Sequence, residues 1–210
     1  MGRRINENGL LVTFEGVERV GKSTQIVLVT RWLNEQQIPV AVVREPGGTV
    51  LGETLRRVVL HDVAIVSPWA ELFLFAAARA ELVQTVIRPQ LEEGTVIILD
   101  RYVDSSLAYQ GYGRGLPIED VVSVNNMATG GLKPDLTFWL RGPSFDTGTK
   151  PDQIESRERS YFDRVLGGYE ELARKDPDRW RVIDSTQSVD VVFQSICRHL
   201  EPWIVNLGGG

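Results

Sequence analysis

The sequence predicts an α/β domain of three layers, with a five-stranded parallel sheet between two layers of helices. Three observations carry that prediction. Short apolar runs alternate with longer helix-forming stretches along nearly the whole chain, the pattern of strand–helix–strand units whose sheet is covered on both faces. A glycine-rich segment, GVERVGKS, separates the first predicted strand from the first predicted helix. Charged residues stand at the carboxyl ends of the predicted strands, where such sheets bind their ligands.

The elements follow in order. Residues 1–9 (MGRRINENG) carry two arginines and no signal-type apolar core after them, so they read as a flexible lead. Leu10–Glu15 is an apolar run of strand length, and Gly21–Gln36 follows it as a helix. Val40–Arg44 is the second strand, followed by helices at Val50–His61 and Pro68–Glu93. Val96–Asp100 is the third strand, followed by helices at Ser105–Tyr112 and Ile118–Thr129. Leu136–Leu140 and Trp180–Ile183 complete the sheet, with helices at Glu155–Ala173 and Val189–Ile204. No repeat, low-complexity tract or linker divides residues 10–205, which read as one domain, and the glycine tail reads as frayed.

Bulk properties narrow the function classes. A net charge of −5 gives no general basic field for nucleic acid. One cysteine, Cys197, excludes an internal disulfide framework and reads as a small buried apolar residue. No apolar run has membrane-spanning length. Together these features predict a cytoplasmic protein without a nucleic-acid or membrane partner.

GVERVGKS fits G-x-x-x-x-G-K-[ST], the phosphate-binding loop, and refines the fold expectation to that of the P-loop NTPases. Gly16 and Gly21 let the backbone turn tightly and bring N–H groups near phosphate oxygens. Lys22 supplies a point charge, and the Ser23 hydroxyl is a magnesium ligand. The stretch Gly16, Val17, Glu18, Arg19, Val20, Gly21, Lys22, Ser23 and Thr24 thus reads as the phosphate cradle of ATP, set at a helix N-terminus where anions bind well. The bland reading is a glycine-rich turn with an incidental lysine. In VIILDRY, Asp100 ends an apolar strand and suits the magnesium shell, and Arg101 could clamp a phosphate bidentately. The alternative is a helix-capping aspartate beside a solvated arginine. Phe75 and Arg79 share one helical face, low enough at the intervening alanines for a flat ring to lie on Phe75 while Arg79 donates to it. The alternative is a phenylalanine of the core. AYQGYGRG could line a base pocket with Gln110 reading an amide edge, or be a helix end followed by a flexible surface loop.

Taken together, FEGVERVGKSTQ, REPGGT, the Phe75/Arg79 helix, LDRY with SSLAYQGYGRG, and KPDLTFWL resemble the thymidylate kinase family, in this order and at familiar spacings. The resemblance covers nearly the whole chain, is close from Leu10 to Leu140, and weakens from Arg141 to Asp152. It implies a nucleoside monophosphate kinase converting dTMP and MgATP to dTDP and ADP, usually as a homodimer formed through helices. It implies that Glu18 meets the 3′-hydroxyl region of the sugar, Phe75 stacks on thymine, and Arg79 contacts the carbonyl edge. Arg101 would hold the dTMP phosphate with Arg44 nearby, while Ser106, Tyr109 and Gln110 line the nucleoside pocket. Lys22, Arg19 and Arg101 would be the catalytic cations, and Ser23 and Asp100 the magnesium ligands.

One segment departs from the family pattern. Where the family carries an arginine-bearing lid, residues 141–160 are short and broken by Gly142, Pro143, Gly148 and Pro151, and Gln153 stands where many members have an arginine. Arg19 occupies a loop position that is often glycine in members relying on lid arginines. The chain therefore resembles the arrangement with its catalytic arginine in the phosphate loop. Arg157 and Arg159 are expected on the outer part of the following helix. Two other readings remain: a deoxynucleoside kinase, which needs a carboxylate base such as Glu15 or Glu45, and a nucleotide-binding protein without catalysis.

Overall fold

The computed structural model describes residues 9–62, 67–143, 152, 154 and 157–205. Residues 1–8 of the lead, Gln153, most of the expected lid and the glycine tail lie outside the described residues. The elements are β1 (Leu10–Glu15), α1 (Lys22–Glu35), β2 (Val40–Arg44) and α2 (Val50–Arg57), which runs into a π-helical turn at Val58–Asp62. Then come α3 (Pro68–Leu82), a second π-helical turn (Val83–Ile87), α4 (Arg88–Glu92) and β3 (Val96–Asp100). They are followed by α5 (Val103–Ser106), a π-helical segment (Leu107–Gly113), α6 (Ile118–Thr129), β4 (Leu136–Arg141), α7 (Arg159–Lys175), β5 (Trp180–Asp184) and α8 (Val189–Ile204).

All five strands are parallel, in the order β2-β3-β1-β4-β5. Alternation along each strand assigns the two faces. Leu10, Val12 and Phe14 of β1 pack with Val96, Ile98 and Phe138 against Ile26, Val29 and Leu33 of α1 and Ile196 and Leu200 of α8. Leu11, Ile97 and Leu99 turn the other way, onto Leu82 and Val83 at the end of α3. Trp139 packs on that second face with Val165 and Tyr169 of α7. Each fully buried side chain of this kind contributes about 1.5–3 kcal/mol. A slip of one residue in β1 would exchange the faces and carry Glu15 from the second layer into the core under α1, where a carboxylate is costly. The same parity sends Glu15, the last residue of β1, into the second face, where it is completely buried.

Local signals set several helix ends. Ser67 caps α3 by accepting from the Ala70 N–H at 3.3 Å, with Pro68 in the first turn. Thr49 caps α2 by accepting from Gly52 at 2.9 Å. Among the described residues, no helix is long and apolar enough to cross a membrane.

Three expectations are corrected. The stretch expected as one helix over Pro68–Glu93 contains a π-helical turn between α3 and α4. The last long helix before β5 begins at Arg159, not Glu155, with Glu158 as its cap residue. AYQGYGRG ends a helix, as its alternative reading had it, but the helix is π-helical and the stretch is not a surface loop. Tyr109, Gln110, Gly111 and Gly113 are buried in the π-helical segment, against which α7 packs. A Cβ on Gly113 would lie 2.6 Å from Tyr161 Cε2 and 2.9 Å from Val165 Cγ2, so a missing side chain, not flexibility, is what this position needs. Gly113→Ala is expected to lower unfolding free energy by about 1–3 kcal/mol through overpacking, read by denaturant titration; an unchanged midpoint would mean that α7 does not rest on this segment.

Candidate active site

β1 delivers the chain into the phosphate loop at Gly16. There a Cβ would meet the Leu140 carbonyl oxygen at 2.6 Å, which only glycine avoids. The loop returns to open α1 at Lys22, whose Nζ donates to the carbonyls of Gly16 at 3.1 Å and Val17 at 2.9 Å. Burial, and next the charge of Arg101, lower the Lys22 ammonium to about 8. An anion in the loop would offset both effects. Ser23 and Thr24 stay exposed in the first turn of α1, beside its orphan N–H groups.

Beside the loop lies a cavity of about 220 Å³. Its walls include Glu18, Arg19 and Lys22 from the loop, Arg44 from the end of β2, Phe75 and Arg79 from α3, and Asp100 and Arg101 from the end of β3. Ser106 of α5 and Tyr109 and Gln110 of the π-helical segment complete it. Every residue expected to touch an acceptor nucleotide lines this one space. The remaining loop residues, Gly16, Val17, Val20, Gly21, Ser23 and Thr24, lie outside it.

Arg101 is held rather than solvated. Its Nη2 donates to Glu18 Oε1 at 2.8 Å, and its Nη1 to Ser105 Oγ at 3.2 Å and the Tyr169 hydroxyl at 3.4 Å. Its guanidinium carbon stands 4.9 Å from the centre of the Tyr109 ring, and the Tyr109 hydroxyl donates to the same Glu18 oxygen at 2.9 Å. Behind this group, Glu15 accepts from the Tyr102 N–H, Ser105 Oγ and the Tyr169 hydroxyl at 2.9, 2.5 and 2.9 Å. Burial, then the nearby charge of Asp104, push the Glu15 carboxyl up to about 7.

Arg79 is almost completely buried and donates to Glu45 at 2.8 Å, Ser106 at 3.0 Å, Asn125 at 2.6 Å and the Tyr102 carbonyl at 3.1 Å. At least four of its five N–H groups are therefore committed to protein acceptors. Phe75 is partly exposed at the cavity wall, not sealed in the core. Asp100 Oδ1 is buried with no hydrogen-bond partner. A carboxylate oxygen left over beside the loop, with the Ser23 hydroxyl, suits a hard divalent cation that keeps most of its waters.

Among the described residues, three non-glycine residues have left-handed backbone: Arg19 (φ 59°), Gln37 (φ 60°) and Arg101 (φ 72°). Two of the three line the cavity. Such conformations cost an L-residue about 1–2 kcal/mol and concentrate at functional sites.

Sequence reasoning missed Glu71. It sits one helical turn before Phe75, so Glu71, Phe75 and Arg79 form a single stripe on α3. Its carboxylate, 1% exposed, accepts from Gln110 Nε2 at 2.8 Å and Arg157 Nη2 at 2.5 Å, with Arg114 Nη1 at 3.3 Å. Arg157 is consequently not on the outer part of a helix. It precedes α7 and turns inward, with its guanidinium carbon 4.8 Å from the Tyr161 ring centre. Arg159 is exposed, as expected. The Asp104–Arg179 pair, at 2.5 and 3.0 Å, was also missed, because neither residue belongs to a motif.

Comparison with known proteins agrees with this geometry. A family model described as Thymidylate kinase matches residues 14–196. A thymidylate kinase of Roseiflexus sp. (strain RS-1) is 42% identical over 217 residues, spanning 94% of this chain and 96% of its own. One from Symbiobacterium thermophilum is 47% identical over 198 residues, spanning 91% and 92%. The crystal structure of thymidylate kinase from Ehrlichia chaffeensis superposes with a TM-score of 0.76 at 30% identity, covering 92% of this chain and 99% of that one. The residues matched by the family model include the loop, the cavity, the end of β1 and the other four strands, and the chain belongs to the thymidylate kinase family.

Proposed function

We propose that this chain transfers the γ-phosphoryl group of ATP to the phosphate of dTMP, giving dTDP and ADP for dTTP synthesis. The observation that carries the reading is the single cavity in which Lys22 and Arg19 of the phosphate loop share walls with Phe75, Tyr109, Gln110 and the Glu18–Arg101 pair. In this reading residues 16–24 hold the ATP phosphates. Phe75 offers its ring to thymine, a contact worth about 1–3 kcal/mol. Gln110 reads the base edge, with Ser106 beside it, and Arg79 has at most one N–H left for a base carbonyl. Glu18 and Tyr109 meet the deoxyribose, and Arg101 and Arg44 hold the dTMP phosphate.

The acceptor is already an anion, so no strong base is required. Alignment of the two nucleotides and neutralisation of charge on the transferred group carry the reaction. Lys22, Arg19 and Arg101 supply positive charge. Magnesium, held by Ser23 and Asp100, would add charge on the ATP phosphates. The sugar-hydroxyl kinase is disfavoured at both candidate bases: Glu15 lies outside the cavity, held by three donors, and Glu45, though on the cavity wall, is ion-paired with the buried Arg79. Both nucleotides are charged and cross membranes poorly, which supports a cytoplasmic enzyme.

Arg19 is the proposed catalytic arginine. Glycine would adopt its backbone conformation without strain, so a long cation there is retained against a local cost. Arg19→Gly is expected to keep or raise thermal stability while cutting turnover on dTMP by on the order of a thousandfold. Coupled assays with dTMP and with thymidine, on wild type and variant, check this. Phosphorylation of thymidine but not dTMP would contradict the function, and a mild Arg19→Gly phenotype would contradict the residue's role.

We also propose a homodimer formed through α2, α3 and α6. These helices pack side by side and leave Leu51, Phe73, Val122 and Met127 exposed, with Phe73 55% and Met127 76% accessible. Light scattering is expected to give twice the chain mass, and Phe73→Glu to give monomers; a monomeric wild type would sink the assignment.

A further inference from the structure

We propose that Glu71 is a positioning residue for base choice: it fixes the Gln110 side-chain amide so that its carbonyl oxygen, not its NH₂ group, is presented to the base. The inference rests on the reading of the cavity as a dTMP site. Glu71 cannot touch a base itself, since it is 1% exposed and is not part of the cavity wall. It reaches the cavity only through Gln110, whose Nε2 donates to Glu71 Oε1 at 2.8 Å. A carboxylate accepts and does not donate, so the amide has one orientation available. With the nitrogen end held behind the wall, the carbonyl end of the Gln110 amide is turned to the cavity.

An acceptor there matches the N3–H of thymine or uracil. Cytosine presents an unprotonated N3 at the same edge and would face Gln110 acceptor to acceptor. Arg79, with four hydrogen bonds already made to protein, is poorly placed to discriminate alone. The orientation is itself enforced from behind. Arg157 Nη2 at 2.5 Å and Arg114 Nη1 at 3.3 Å both sit on Glu71 Oε2, while Oε1 takes only a longer contact from Arg157 Nη1, 3.3 Å, beside the Gln110 bond. A glutamine at this position would have to turn its carbonyl oxygen to those guanidinium groups, which only donate. Its NH₂ would then face Gln110 and force that amide to turn over, exposing a donor to the base.

The test is steady-state kinetics of wild type and Glu71→Gln with dTMP, dUMP and dCMP. The expected result is a fall of about tenfold or more in the dTMP-to-dCMP ratio of specificity constants. The dTMP-to-dUMP ratio should stay constant, because those bases share the N3–H edge. In a Gln110→Leu background Glu71→Gln should leave the dTMP-to-dCMP ratio unmoved, since the group it acts through is gone. If Glu71→Gln does not fold, Glu71→Leu/Arg157→Leu removes the carboxylate with its closest cation, which is better tolerated than stranding that cation alone. It should lower the same ratio. Equal losses for all three nucleotides, or a preference for dTMP that survives the substitution, would overturn the inference alone. A wild type that takes dTMP and dCMP alike would overturn the proposed function and the inference with it.

Discussion

Arg101 joins five stretches of chain at one point. Its backbone N–H donates to the Phe14 carbonyl at 3.0 Å, continuing the β1–β3 ladder one residue past the strand end. The left-handed turn at φ 72° then directs its guanidinium to Glu18 of the loop, Ser105 of α5, Tyr109 of the π-helical segment and Tyr169 of α7. Taking these charges out of water is costly, and the cost is offset only when nearly every donor and acceptor is satisfied. Glu15 completes that requirement by holding the Ser105 and Tyr169 hydroxyls. In the proposed reading, a phosphate arriving at Arg101 would replace Glu18 as its partner and release that carboxylate toward the sugar.

The sheet determines which residues can take part. Strand parity puts Phe14 in the core under α1 and its neighbour Glu15 in the opposite layer, against α5 and α7. The loop that follows rides over the end of the sheet, so Lys22 and Asp100 come together at the carboxyl edge. Two strained arginines stand on that edge. Elsewhere the described backbone is largely regular, consistent with strain being tolerated where it positions charge.

Much of this was legible in the sequence. The five strands were readable because parallel strands buried on both faces are short apolar runs, and β1, β2 and β3 have the bounds their apolar runs gave. The phosphate loop and the Phe75/Arg79 spacing, together with REPGGT, LDRY and SSLAYQGYGRG, named most of the cavity, since each is a short stretch of fixed offsets. What stayed hidden depends on tertiary context. Glu71 is an acid on a helix, ordinarily a solvated residue, and only the convergence of Gln110, Arg114 and Arg157 makes it internal. Arg157 was misplaced because that convergence draws it inward ahead of α7. The π-helical turn through Tyr109 and Gln110 leaves no trace in a periodicity of 3.6. Arg79 was legible as a site residue, but its commitment to four protein acceptors was not.

That the phosphate loop and the dTMP cavity work as one site is tested most directly by Lys22→Ala, with turnover and dTMP binding measured on the same folded sample. The expected result is a loss of at least about a hundredfold in turnover with dTMP affinity nearly unchanged, because in the proposed function Lys22 serves the phosphoryl group in transfer and not the base or sugar. Turnover near the wild-type rate in folded Lys22→Ala would contradict it.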